Sequence, residues 1–275
     1  MVAAPVDAPV DEPDDPVLAV ERLSVAYGGD EVLDRLDLAV ERGDRLAVVG
    51  DGASGKTTLA RALVDGFPAS ARVSGSVGYR PEGGDPVSVF DLDDAERERF
   101  RREAVAVVGG DAGGFDPTST LRGQFRPALR ATGTDEARAE RLLSAVGLDA
   151  DRVLDARARE LNAAATQLAD LARAALADPA VLVVDDCPAA VAHLARGDRL
   201  GSFESAVGTG GGATGAGGPT LVALGTELPA LATLADRLAV LHDGHVVEAG
   251  STDRVLDDPT HPHTRRLVEF YRGSP

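Results

Sequence analysis

Early in the chain, apolar residues alternate loosely with polar ones over residues 17–25 and again over 32–40. Each run is closed by turn-forming residues, Tyr27-Gly28-Gly29-Asp30 and Glu41-Arg42-Gly43-Asp44. Alternation puts successive side chains on opposite faces, so both runs predict strands. Leu46-Ala47-Val48-Val49 has a different texture: four apolar residues in a row, the pattern of a strand buried on both sides, running into Gly50. From 56 to 64 the apolar spacing becomes helical, and Gly66 with Pro68 closes that element.

Residues 91–160 are richer in Arg, Glu and Ala and predict a helical lobe. One charged helix is expected over 93–108 and another over 135–146, ended by Gly147, with a glycine-rich loop over 109–114 between them. A further helix is expected over 162–177, then a buried strand over 181–184. Two more strands follow at 221–224 and 238–241; His242-Asp243-Gly244-His245 makes a hairpin turn and Val246-Val247 returns. Residues 1–16 are Pro, Asp, Val and Ala without a period, a disordered acidic tail; 208–218 reads as a flexible Gly-rich loop. Strands alternating with helices predict an α/β core from 17–90 and 161–275, carrying the lobe as an insertion.

Charge narrows the partners. The 28 basic residues against 45 acidic ones give a net charge of −17. That argues against nucleic acid or an anionic membrane surface as the main partner, since phosphate binding needs a basic footprint. A single cysteine, Cys187, excludes an internal disulfide and any multi-cysteine metal site. No apolar run approaches the roughly 18 to 20 residues that span a bilayer, and the N-terminal stretch has neither the basic start nor the apolar centre of a signal peptide. A cytosolic chain is expected. Lys56 is the only lysine. An acidic, lysine-poor surface suits a high-salt cytoplasm, and a genome rich in G and C would also favour Arg over Lys, but either pressure leaves the retention of Lys56 to be explained.

Gly50-Asp51-Gly52-Ala53-Ser54-Gly55-Lys56-Thr57 fits the spacing G-x-x-x-x-G-K-S/T, with Thr58 following, between a buried strand and a helix. The glycines let successive backbone N–H groups point inward at a phosphate, and the helix start adds favourable partial charge. Lys56 would reach the β- and γ-phosphates, a place where planar arginine cannot substitute, and the Thr57 hydroxyl would ligate Mg²⁺. Such a loop needs an acidic residue on a neighbouring strand. The run 181–184 ends in Asp185-Asp186, with Asp185 suited to hold the metal and Asp186 to polarise an attacking water.

With these motifs the chain resembles the nucleotide-binding subunits of ATP-binding cassette (ABC) transporters over nearly all of residues 17–271. The resemblance implies an α/β P-loop NTPase fold of ABC type, a mixed sheet core with an antiparallel β edge and an inserted helical lobe. It implies ATP and Mg²⁺ as cofactors, and Tyr27 as the aromatic that stacks on adenine. Glu160-Leu161 opens the signature region. The segment 172–180 leads into the acidic strand as the family's does, and 235–244 with 247–250 looks like its closing strands. The tail Asp258-Pro259-Thr260-His261-Pro262-His263-Thr264-Arg265 resembles the peptide and nickel importer branch. His261 and His263 themselves read as a solvated tail rather than a metal site, because no third ligand sits nearby in sequence.

The departures fall on the residues that handle the γ-phosphate. The family's Leu-Ser-Gly-Gly-Gln signature is here Leu161-Asn162-Ala163-Ala164-Ala165. Asn162 can still cap a helix, but two alanines add Cβ atoms where backbone must approach phosphate. The lobe-joining glutamine aligns with Gly109, and neither Gly109 nor Gly110 offers a side chain. The catalytic glutamate becomes Asp186, about 1.5 Å shorter in reach. The family's histidine becomes Thr226, a hydroxyl without charge, and an inter-subunit aspartate becomes Ala192. The resemblance thus implies a subunit that binds ATP and cleaves it weakly, with Asp186 and Thr226 as the remaining candidates for catalysis. It would pair with a second ABC ATPase subunit, a heterodimer being favoured, on transmembrane permease subunits at the inner face of the cell membrane. A regulatory or scaffold ATP-binding protein, or a fully active transport ATPase, are the alternatives.

Overall fold

The computed structural model describes residues 16–110, 114–208 and 219–273. The predicted acidic tail, except its last residue, and the Gly-rich stretch 209–218 lie outside the described residues. Strands β1 (Leu18–Tyr27) and β2 (Asp30–Val40) form a hairpin across Gly28 and Gly29. After them come β3 (Arg45–Val49), α1 (Lys56–Ala62), β4 (Ala71–Tyr79) and β5 (Val87–Ser88). Helix α2 (Asp94–Glu103) leads into β6 (Val105–Gly109). Three helices then form the lobe: α3 (Leu121–Thr132), α4 (Glu136–Ala145) and α5 (Ala150–Asp155). Helix α6 (Ala163–Ala175) returns to β7 (Val181–Asp185), followed by α7 (Pro188–Leu194) and α8 (Arg199–Val207). The chain ends with β8 (Thr220–Gly225), α9 (Leu228–Leu234), β9 (Arg237–His242), β10 (His245–Ser251), α10 (Thr252–Asp257) and α11 (Pro262–Gly273).

Two sheets result. The antiparallel one runs β2-β1-β4-β5, and the larger one runs β10-β9-β3-β8-β7-β6. Strands β3, β6, β7, β8 and β9 are parallel, and β10 turns back antiparallel beside β9. The five parallel strands explain their unbroken apolar runs, because each feeds a core on either face. Leu46 and Val48 of β3 face the core beneath the antiparallel sheet, whereas Ala47 and Val49 face the helical side. Val181 and Val183 against Leu182 and Val184 repeat the pattern in β7.

The same period corrects one sequence expectation. The helix predicted over 93–108 stops at Glu103, and residues 105–109, inside the span 91–160 read as a helical lobe, are the edge strand of the main sheet. The helix starts as the sequence implies, with Asp93 and Glu96 satisfying each other's backbone N–H groups as a capping box. It ends because Phe100 is its one buried residue and the β-branched run that follows packs better as a strand. Val105 joins the upper core while Ala106 and Val108 join the lower. Helix α3 carries Pro127 in its interior and was not anticipated, although Thr120 caps its start and Gly133 its end. Among the described residues no helix is long and apolar enough to cross a membrane.

Candidate functional site

The segment Gly50–Gly55 links β3 to α1, and its first and last glycines lie against a strand of each sheet. A Cβ on Gly50 would lie 2.2 Å from the Leu241 carbonyl oxygen of β9. Gly55, at φ +107, would drive a Cβ to 2.6 Å from the Leu33 side chain of β2. Both glycines are therefore required by close approach of neighbouring strands, and Gly55 also by its backbone angle. The Gly50 N–H donates to the Gly225 carbonyl at the end of β8. Asp51, Gly52 and Ala53 are exposed, whereas Ser54, Lys56 and Thr58 are buried.

Lys56 is only 8% exposed. Its ammonium donates to the carbonyls of Gly50 (2.9 Å) and Asp51 (2.7 Å) and to the Ser54 hydroxyl (3.2 Å). Burial pulls its pKa down, and the carboxylates of Asp185, Asp186 and Asp51 pull against that shift. The sole lysine of the chain thus sits where a compact charged head with three donors is needed inside a ring of main-chain groups.

Asp185 ends β7 beside this loop and is 1% exposed. Burial raises its pKa, opposed first by a hydrogen bond from the Thr57 hydroxyl and then by the Lys56 and Arg61 charges. Its Oδ1 is buried without a hydrogen-bond partner among the described residues. A buried carboxylate oxygen left open beside a threonine hydroxyl suits a hard divalent cation, so Thr57 and Asp185 fit a Mg²⁺ site.

Asp186 follows in the left-handed region, φ +49, with its N–H donated to the Leu224 carbonyl. That turn brings it, Thr226 and Glu227 to the wall of one cleft of about 20 Å³, room for a single water. Glu227 is a carboxylate that sequence reasoning passed over; its place one residue beyond Thr226 was the available signal. Beside Asp185 opens a larger cavity of about 580 Å³, lined in part by Thr57, Arg61, Phe67, Arg101 and Gly109.

At Gly109 and Gly110, which the sequence sets where the family carries a glutamine, the backbone leaves no space for a side chain. Gly109 lies at φ +83, and a Cβ there would stand 2.1 Å from the Asp185 carbonyl oxygen and 2.3 Å from the Cys187 sulfur. Gly110, at φ +54, would place one 2.4 Å from the Asp185 carboxylate. Cys187 fills the space below, and burial pushes its thiol up to about 12. Asn162 caps α6 through the Ala165 N–H (2.8 Å), and Asn162, Ala163 and Ala164 are exposed. Ala192 lies half-buried on α7. Tyr27 ends β1, its ring against the upper core and its hydroxyl buried without a partner among the described residues.

The histidine tail corrects a second expectation. His263, read as solvated, is 6% exposed on α11, and its ring stacks on His242 with centroids 3.7 Å apart. The cause lies in Glu248 of β10, 1% exposed, whose carboxylate accepts the N–H groups of Thr260 and His261 and pairs with Arg254. This anchor folds the tail back onto the core, where the third group missing in sequence is supplied by the Asp51 carboxylate, 3.6 Å from His263 Nε2. Burial and the neighbouring His242 lower the pKa of His263.

A parallel strand, a glycine loop around a buried lysine, and an acidic residue ending the next strand but one define a P-loop nucleotide-binding fold. The model of the family described as ABC transporter matches residues 33–189, more than half of the chain, and the chain belongs to that family. Among curated proteins it is similar to the nickel import ATP-binding protein NikE of Shigella flexneri serotype 5b (strain 8401), 34% identical over 160 residues. The NikE of Escherichia coli K12 is likewise 34% identical over 160 residues. The match covers 56% of this chain and 56% of the relative, so the chain spans about half the length of these relatives. Among solved structures, the ATP-binding subunit of an ABC transporter matches with a TM-score of 0.68 at 20% identity, covering 92% of this chain and 99% of that one. A bacterial Atm1-family ABC exporter with ATP bound matches at 0.72 and 18% identity, covering 99% of this chain and 45% of that one. These likenesses concern the fold.

Proposed function

We propose that the chain is an importer-type ATP-binding subunit that holds Mg-ATP well, cleaves it weakly, and forms the weakly hydrolysing half of a heterodimer on a membrane permease. The observation that carries this reading is the contrast within one site: a complete phosphate loop around Lys56, beside a Gly109-Gly110 turn with no room for any side chain. Gly50 to Thr58 would bind the phosphates, with Lys56 exchanging its loop carbonyls for phosphate oxygens. Thr57 and Asp185 would hold Mg²⁺, which neutralises charge on the phosphates when bound. Tyr27 is proposed as the adenine platform.

Hydrolysis needs a positioned water and stabilised γ-phosphate charge. Losing one such group costs about 10²- to 10³-fold in rate. Here the glutamine and histidine are absent and the base is shortened to Asp186, losses that act together without adding; the signature, which would face the partner subunit's nucleotide, lacks its glycines. A homodimer would combine two poor signatures with two weak bases, which favours a partner with an intact set. Membership of the family and the similarity to nickel import ATP-binding proteins support binding to permease subunits at the inner membrane face.

Titration with Mg-ATP should show one saturable site that Lys56→Ala removes; unaltered binding in that variant would refute the reading. A second reading, an active transport ATPase, is favoured by one observation: Asp186, Thr226 and Glu227 share a cleft with room for a water. It requires steady-state turnover that drops at least about 100-fold in Asp186→Asn.

A further inference from the structure

The phosphate loop, the end of β9 and helix α11 meet at one point. There Asp51, His242 and His263 each present one ligand atom, all within 4.8 Å of one another. We propose that these three side chains form a binding site for a borderline-soft divalent cation such as Zn²⁺ or Co²⁺, distinct from the Thr57–Asp185 pair that would serve Mg²⁺.

The chain folds so as to bring them together. A Cβ on Gly50 would lie 2.2 Å from the Leu241 carbonyl, so the backbone before Asp51 and the backbone before His242 are in contact. Glu248 fixes residues 260 and 261, and the His263 N–H is held by His261 Nδ1 (3.2 Å), which locks the first turn of α11. His261 has its Nδ1 occupied in this way and is not one of the three ligating side chains.

His263 Nε2 is buried, has no hydrogen-bond partner among the described residues, and points at the Asp51 carboxylate 3.6 Å away. An unpaired buried ring nitrogen is costly, and a metal ion would satisfy it. The two rings stack with centroids 3.7 Å apart and an interplanar angle of 11°, which holds the two imidazoles side by side. Once ligated as neutral imidazoles, the two histidines with one carboxylate would offer a dication one negative charge, with a fourth position for water. Ligand atoms around a tetrahedral ion stand roughly 3.3 Å apart, so binding requires the rings to splay and the donors to close by about an ångström. Asp51 keeps a 61% exposed side chain and His242 a 29% exposed one, which gives the ion a path from solvent. Imidazole nitrogens select against Mg²⁺ and Ca²⁺, which prefer all-oxygen sites. The bound ion would pin helix α11 to the phosphate loop.

The nucleotide-free full chain should be titrated with Zn²⁺ by calorimetry and with Co²⁺ by visible absorption, in excess Mg²⁺. One equivalent binding in the micromolar range is expected, with a rise in Tm on Zn²⁺ addition. His242→Gln with His263→Gln should weaken binding at least about 100-fold, and Asp51→Asn at least about 10-fold, while His245→Gln leaves it unchanged. If the double histidine variant fails to fold, Asp51→Asn decides, because that side chain is mostly exposed. Parental affinity in Asp51→Asn, or no saturable Zn²⁺ binding below about 1 mM in the parent, would overturn the site.

Discussion

The parts of the chain that would meet a nucleotide differ in how tightly the fold constrains them. Around Lys56, every required position is locked by a neighbour: Gly50 by Leu241, Gly55 by Leu33, and the lysine by three acceptors. The signature turn at Asn162, Ala163 and Ala164, which would face the partner subunit's γ-phosphate, lies exposed and is capped by the Asn162 side chain. The loop-joining turn at Gly109-Gly110 is a third case, locked just as tightly but into a shape without side chains. The lesson is that one altered part of the site can be restored by substitution and another cannot, because the Asp185 carbonyl and the Cys187 sulfur have taken its space.

The largest effect that would break this comparison is at the lysine. Lys56→Ala should lower Mg-ATP affinity at least about 100-fold in a binding titration, since it removes the one charged donor inside the loop. Next is Gly109→Gln, which restores the family's residue on paper. Backbone strain at φ +83 alone costs about 1 to 3 kcal/mol, and the overlap with Asp185 adds to it. Denaturant unfolding should therefore show a loss of at least about 2 kcal/mol with no gain in turnover. A stable and faster variant would mean that the turn readily opens. Smallest is Ala163→Gly with Ala164→Gly on the exposed start of α6. A loss of about 1 to 2 kcal/mol is expected, with Mg-ATP affinity unmoved, because the signature serves the other subunit's nucleotide.

Much of this was legible in the sequence, and the exceptions have physical causes. Periodicity placed β3, β7, β8 and β9 because strands buried on both faces have no polar interruptions. Motif spacing placed Lys56, Thr57 and Asp185 in one neighbourhood, where the structure puts them. Strand β6 was absorbed into a helix because the Arg- and Glu-rich run before it flows into Val105 without a glycine or proline. Its four consecutive apolar residues match the texture of β3, and weighing that texture would have found it. Helix α3 was hidden by Pro127. The burial of His263 had no local signal: it depends on Glu248, twelve and thirteen residues from the N–H groups it accepts, and on Asp51 at the far end of the sequence. The closed space at Gly109 was equally invisible, since only the folded backbone shows what a Cβ would meet.

The central claim is that binding and cleavage are separated in this chain. Its most direct test measures both on one preparation of the isolated protein, equilibrium binding of Mg-ATP followed by single-turnover phosphate release at saturation. One equivalent bound, with cleavage at least about 100-fold slower than the ~10 s⁻¹ of a typical enzyme, is the predicted result. A release rate above about 1 s⁻¹, abolished in Asp186→Asn, would contradict the claim, as would the absence of saturable binding.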